Sequence, residues 1–221
     1  MKYKLCVWDL DGTLLHTLPT LHHFDNLSLK HFGFNEITYD QNVILIKYPI
    51  GEYYHHLLRM GGCEEEKIEG IVNDLIQYNF DLYNADPTCK AEEFEGVRET
   101  LIKIQEMGIE NVLFSNKFQE ISEKLAKHYY KDEISAVYGQ LPQYPSKPQI
   151  GCTDRILKST GLSADEILII GDTEVDILSA KNNHIDCVCA TWGYQTRDVL
   201  MKYEPDYIID RPEELLEILR R

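Results

Sequence analysis

The sequence predicts an α/β protein: a parallel sheet covered by helices on both faces, with a separate helical unit inserted after the first strand. Two patterns carry that prediction. From residue 94 onward, short apolar runs alternate with stretches of helical spacing, as in successive βαβ units that build a parallel sheet. The first apolar run, Leu5 to Trp8, stands far upstream of the others, and residues 17–90 between them show helical spacing without strand alternation.

The strand candidates are Leu5–Trp8, Val112–Phe114, Ile134–Val137, Ile167–Ile170 and Cys187–Ala190, with a less apolar one at Tyr207–Ile209. Each is a short buried-type run bounded by polar or turn residues. Helical stretches in the insert cover Leu18–Phe32, Tyr53–Met60 and Glu64–Tyr83. Beyond it, Val97, Leu101, Ile104 and Met107 recur on one helical face and stop at Gly108, a residue suited to a helix end. Ile121 and Leu125 mark the next helix, Ile150–Thr160 and Val175–Asn182 two more, and Pro212 opens the last, which runs to Leu219. Pro19 and Asp86-Pro87 punctuate the joins. The chain thereby divides into a core of 1–16 and 91–221 and a helical cap of 17–90.

Hydrophobic residues make up 43% of the 221 and charged residues 27%. A chain of this size buries roughly 70% of its unfolded surface, so folding requires no disulfide or structural metal. There are 22 lysines and arginines against 37 acids, a formal net charge of −15. That field repels nucleic acid and anionic membrane faces, so neither is an expected partner. The N-terminal apolar run ends at Asp9, too short for a signal peptide, and nothing approaches the roughly 18–20 apolar residues of a membrane span. A cytoplasmic protein is expected, and monomer and homodimer are both compatible with the sequence. The six cysteines form no C-x-x-C pair; Cys187 and Cys189 share one strand face and read as reduced core thiols ahead of a redox or metal pair.

Residues able to do chemistry follow the buried runs. Trp8-Asp9-Leu10-Asp11-Gly12-Thr13-Leu14 leaves the first strand at the end where open α/β sheets bind ligands. Residues two apart on an extended chain face the same way, so Asp9 and Asp11 address one pocket. Adjacent carboxylates repel unless a cation is present or one is protonated, which suits Mg²⁺ binding or a nucleophile beside an acid/base partner. Gly12 allows backbone N–H groups to turn toward an anion. A plain Asp-Gly turn fits the same residues. A second acid pair follows Ile169-Ile170-Gly171: Asp172 and Asp176 lie four apart on one face of a helix start, although Thr173 and Asp176 also fit a capping box. Phe114-Ser115-Asn116-Lys117 offers a hydroxyl and an amide to phosphate oxygens, or a simple helix cap. Lys147-Pro148 places a lysine with a free ammonium before a proline-opened helix, which equally describes a surface lysine.

Taken in order, these four elements resemble the four motifs of the haloacid dehalogenase-like (HAD) hydrolase superfamily. The likeness is closest to its phosphoglycolate phosphatase-like members, which insert a helical cap after the first strand of a Rossmann-like core. Phe94-Glu95-Gly96-Val97, Asp176 to Ala180 and Thr191-Trp192-Gly193-Tyr194 extend the resemblance, which covers the core and is weak in the cap. It implies a Mg²⁺-dependent phosphatase acting on a small phosphorylated metabolite. Asp9 would be the nucleophile that forms an aspartyl-phosphate, and Asp11 the general acid/base. Asp9, Asp172 and the Asp11 carbonyl would hold the Mg²⁺, with Asp176 supporting the metal shell or orienting Lys147. Ser115, Asn116 and Lys147, with N–H groups near Gly12 and Thr13, would hold the phosphoryl oxygens. The alternatives are a phosphomutase or pyrophosphatase on the same core, or a non-catalytic regulatory binding protein. Dehalogenases, which lack the second acid and need no metal, are disfavoured by Asp11 together with Asp172.

Some positions depart from the pattern. His16-Thr17 stands where many relatives carry Asp-Ser, and Tyr48-Pro49-Ile50-Gly51-Glu52, near the expected specificity loop, has no arginine to announce a carboxylate-bearing substrate. His22-His23 and His55-His56 are adjacent pairs whose rings point to different helix faces, so no metal site is expected there. Tyr53 and Tyr54 suit either a substrate entrance or the core. Glu64-Glu65-Glu66 reads as a solvated helix start.

Overall fold

The computed structural model describes residues 2–221 and shows two compact units, one built from residues up to His16 together with Glu92–Arg221, the other from Thr17–Ala91. The chain begins with strand β1 (Leu5–Trp8) and a short strand β2 (Leu15–His16), then forms helices α1 (Leu18–His31), α2 (Tyr39–Leu45), α3 (Ile50–Met60) and α4 (Glu65–Ala85). It continues through β3 (Glu92–Glu93), α5 (Val97–Glu106), β4 (Glu110–Phe118), α6 (Gln119–Tyr129) and β5 (Ala136–Gln140). The remainder is α7 (Asp154–Thr160), β6 (Ile167–Gly171), α8 (Glu174–Asn182), β7 (Asp186–Ala190), α9 (Arg197–Leu200), β8 (Tyr207–Ile209) and α10 (Leu215–Leu219).

The larger unit is a six-stranded sheet in the order β5-β4-β1-β6-β7-β8, parallel throughout. β1 lies inside it and is buried along its whole length, which explains a continuous apolar run in place of alternation. Register aligns Val112, Val7, Ile169 and Cys187 in one row across four strands, and these side chains join a core cluster that includes Ile156 of α7 and Ile177 of α8. From β1 the chain builds outward through β4 and β5, then returns to the other side of β1 for β6, β7 and β8. The C-terminal ends of β1, β4 and β6 therefore flank the place where the winding reverses, the usual site of ligand binding in open α/β sheets.

Several boundaries differ from the sequence expectation. β4 extends four residues beyond Phe114, so Ser115, Asn116 and Lys117 lie within the strand, across a register shift between Phe114 and Phe118. The cap of α6 is Phe118, with no side-chain hydrogen bond, so neither Ser115 nor Asn116 acts as a helix cap. β5 starts at Ala136 because Ile134 closes a turn onto the Tyr130 carbonyl. Pro148 does not open a helix: turns occupy 148–153 and α7 begins at Asp154.

The smaller unit packs α1 to α4 around Leu29, Leu45, Leu57, Leu58, Ile68 and Leu75. α2 has no apolar face strong enough to announce it, yet Thr38 and Gln41 form its capping box, a signal legible in the T-x-x-Q spacing. A buried carboxylate ties the unit together. Asp25 on α1 accepts hydrogen bonds from Asn42 of α2 (2.6 Å), Tyr53 of α3 (2.6 Å) and Asn79 of α4 (3.1 Å). Tyr53 and Tyr54 are thus core residues, the Tyr54 hydroxyl donating to Asn79. The histidine pairs split as their helical spacing requires: His22 binds Asn42 while His23 lies against Phe24, and His55 pairs with Glu69 while His56 stacks on Tyr48. Glu64, Glu65 and Glu66 are exposed. All six cysteines are free thiols, and no helix among the described residues is long and apolar enough to cross a membrane.

Candidate active site

Asp9 is the first residue beyond β1, and its backbone N–H still bonds to the Ile170 carbonyl of β6, which fixes it at the strand end. Its Oδ1 receives the Lys147 ammonium at 2.6 Å, and the same ammonium donates to Oδ1 of Asp176 at 2.7 Å. Lys147 is 3% exposed, so the sequence expectation of a free ammonium before a helix is corrected: it is buried between two carboxylates, 5.2 Å from the centre of the Phe114 ring. Such burial is tolerable because both neighbours are anions.

Asn116 explains how Lys147 is held. Its Nδ2 donates to the Lys147 carbonyl at 3.0 Å and its Oδ1 accepts the Lys147 N–H at 2.8 Å. This two-point clasp engages the amide oxygen and one of the two amide N–H groups, so Asn116 positions Lys147 and retains a second N–H donor. Ser115, four per cent exposed, accepts the Lys117 N–H on its Oγ at 3.1 Å and keeps its hydroxyl proton for another acceptor.

Asp172 follows β6 and is completely buried. Thr13 Oγ1 donates to its Oδ1 at 2.8 Å and the Tyr194 N–H to its Oδ2 at 2.7 Å. A Cβ placed on Gly12 or on Gly193 would lie 2.3 Å from the Asp172 side chain; glycine is required at both because the backbone packs directly on that carboxylate. The Gly12 N–H donates to the Leu15 carbonyl and the Thr13 N–H to that of Leu10. Those two groups close the turn after β1 and do not stand ready for an anion, a correction that follows from the tightness of the Asp-Gly turn. Trp192, which the sequence did not single out for a role here, donates its indole N–H to the Thr13 carbonyl at 3.1 Å and braces the same turn.

For Asp176 both readings of the sequence hold together. Its Oδ2 accepts from Thr173 N (3.2 Å) and Oγ1 (2.9 Å), a complete capping box, while Oδ1 takes Lys147. Oxygens of Asp9, Asp172 and Asp176 come within 4.8 Å of one another, close enough to share a metal ion. Asp11 stands apart from that group, its Oδ2 lying 3.2 Å from the ammonium of Lys117. Lys117 belongs to the same Phe114–Lys117 motif but the sequence reading assigns it no chemistry; two-residue spacing from Ser115 on a strand is the signal that places it at the site.

The electrostatics follow from crowding acids in a buried space. Burial pushes the Asp9 carboxyl up to about 7, with Asp176 and Asp11 adding to the rise and Lys147 opposing it. Burial also holds Asp172 well above the ordinary carboxylate range, helped by Asp176 and Asp9, against the pull of the Tyr194 N–H and the Thr13 hydroxyl. Burial disfavours the charged form of Lys147, but Asp176 and Asp9 outweigh it and raise the ammonium above its usual value. Were all three carboxylates ionised, one ammonium would leave an excess of two negative charges, which is why Asp9 and Asp172 hold their protons in the absence of a cation. All-oxygen donors with that deficit fit a divalent hard cation such as Mg²⁺.

The model of a haloacid dehalogenase-like hydrolase matches residues 6–190, a span that holds every acid and lysine just described. The chain belongs to the haloacid dehalogenase-like hydrolase family. Full-length relatives include the pyrophosphatase PpaX of Halalkalibacterium halodurans, 24% identical over 99% of this chain and 98% of its own. Another is the phosphoglycolate phosphatase of Aliivibrio fischeri, 25% identical over 98% and 96%. Among solved structures, a haloacid dehalogenase-like family protein from Streptococcus pneumoniae superimposes with a TM-score of 0.85 at 21% identity, covering 98% of each chain. The fold of this hydrolase is therefore the family's fold, and acidic residues at the ends of β1 and β6 form its candidate centre.

Proposed function

We propose that this hydrolase is a Mg²⁺-dependent phosphatase of small phosphorylated metabolites, working through an aspartyl-phosphate on Asp9. The observation that carries the proposal is the buried group of Asp9, Asp172 and Asp176, in which Lys147 bridges Asp9 and Asp176. Asp9, Asp172 and the main-chain carbonyl of Asp11 would hold Mg²⁺, which would offset the repulsion between an anionic phosphate and an anionic nucleophile. Asp176, with one oxygen on Lys147 and the other in its capping box, is the residue that orients Lys147.

On this reading the chain supplies position and charge, which dominate phosphoryl transfer. A carboxylate oxygen of Asp9 attacks phosphorus as the P–O bond to the leaving group breaks. Asp11 gives its proton to the departing oxygen, then removes one from the water that attacks the aspartyl-phosphate, releasing inorganic phosphate and free Asp9. Lys147 and the Ser115 hydroxyl receive the phosphoryl oxygens. Asn116 positions Lys147, and Thr13, Trp192 and the Tyr194 N–H position Asp172.

A second reading, hydrolysis of the anhydride bond of inorganic pyrophosphate, is supported by the PpaX relatives, whose chains align with this one almost end to end. The same residues perform either reaction, since only the departing group differs. Purified protein is expected to hydrolyse a generic aryl phosphate with added Mg²⁺ and to lose that activity in a chelator. Equal rates in both conditions would contradict the metal-assisted proposal.

A further inference from the structure

Two lysines are buried at the site, and they contact different acids. Lys147 contacts Asp9 and Asp176; Lys117, 8% exposed, contacts Asp11 at 3.2 Å. Lys117 is delivered by the same strand extension as Ser115, to whose Oγ its N–H donates. Hydroxyl and ammonium thus enter the site from one short, doubly fixed segment. If Asp9 takes the phosphoryl group and Asp11 protonates the departing oxygen, the group that leaves emerges on the side where Lys117 lies.

We propose that Lys117 is a specificity-determining residue that selects phosphate esters or anhydrides whose leaving group is itself an anion, a carboxylate or a second phosphate. The inference rests on the phosphatase reading above. A neutral departing alcohol gains nothing from an ammonium already paired with Asp11. An anionic one forms a charge-assisted contact, and needs it, because a chain of formal charge −15 repels such substrates over its whole surface. The cation near Asp9 and the ammonium of Lys147 serve the transferred phosphoryl group. Lys117 is the positive charge placed for the remainder of the substrate. The absence of an arginine from the Tyr48–Glu52 segment is thereby reconciled with an anionic substrate, since the core itself supplies a positive charge.

The test compares two phosphate esters of nearly equal size with Mg²⁺ present: phosphoglycolate, whose leaving group carries a carboxylate, and 2-hydroxyethyl phosphate, whose leaving group is neutral. For the wild type, kcat/KM should favour phosphoglycolate by about tenfold or more, with inorganic pyrophosphate grouping with it. Lys117→Met should bring the ratio of the two esters close to one, and Lys117→Arg should keep most of it. A wild-type ratio near one, or a Lys117→Met variant that slows both esters by the same factor, would overturn the proposal and reduce the ion pair with Asp11 to a structural contact. Should Lys117→Met fail to fold, product inhibition of the wild type decides instead. Free glycolate should inhibit and ethylene glycol should not, whereas equal behaviour of the two would overturn the proposal. Failure of the wild type to hydrolyse either ester would remove the phosphatase reading, and this inference with it.

Discussion

Lys147 concentrates the physical problem of the site into one side chain. It compensates two buried acids, and nothing else of positive charge lies between Asp9 and Asp176 in the contacts described. Replacing it by methionine leaves both carboxylates buried without that partner. Lys147→Met is expected to lower kcat by roughly 10²–10³-fold and to lower the melting temperature, read by steady-state kinetics and calorimetry; a variant with both unchanged would show that the contact is incidental. Asp9→Asn preserves shape while removing the nucleophile. Its turnover should fall by at least about 10³-fold, with cooperative melting retained. At this scale the sequence was informative where chemistry requires a residue type and silent where geometry decides. Asp9, Asp11, Asp172 and Asp176 could be picked from their positions after apolar runs, and Lys147 from the proline that follows it and the resemblance in motif order. That Asn116 holds Lys147, or that Trp192 braces Thr13, depends on contacts across 31 and 179 positions of sequence, which no local pattern encodes.

Elements differ in how much of their identity is local. The central strands are buried on both faces, so their apolar runs are continuous and β1 is bounded as expected at Leu5–Trp8. The extension of β4 through Ser115, Asn116 and Lys117 is polar, and pairs with β5 only after a register shift, so hydropathy alone ends the strand too early. α2 is short and carries just two buried residues, Asn42 and Leu45; one of them is polar because it serves Asp25. The Asp25 cluster explains why this helical unit needs a buried carboxylate: a single acceptor group receives donors from α2, α3 and α4. Asp25→Ala would leave those donors without their shared acceptor. It should destabilise the protein by about 3 kcal/mol, seen as a lower urea midpoint with the active-site residues untouched. A change under about 1 kcal/mol would mean that water or neighbouring groups take over the role.

For the molecule as a whole, the net charge of −15 separates into solvated acids and a few that are held together at a cost. Asp9 rises from 3.8 to about 7 in the folded, metal-free chain, so between those values the folded state binds more protons than the unfolded one. Stability from this group is full below about pH 4 and is lost as the pH rises toward 7. A divalent cation replaces the proton as the compensating charge. The rise in melting temperature on adding Mg²⁺ should therefore be larger at about pH 8 than at about pH 5.5, and an equal rise at both would contradict this account of the acid group. The central claim, that phosphate passes through Asp9, has a more direct test. An aryl phosphate has a leaving group that needs no proton, so Asp11→Asn should still accept phosphate from it but hydrolyse the intermediate slowly. Acid-quenched Asp11→Asn protein, digested after exposure to the aryl phosphate and Mg²⁺, should carry a hydroxylamine-sensitive phosphoryl group on the peptide containing Asp9. A phosphoryl group mapped to any other residue, or none on Asp9 while the variant still releases the phenol in a burst, would contradict it.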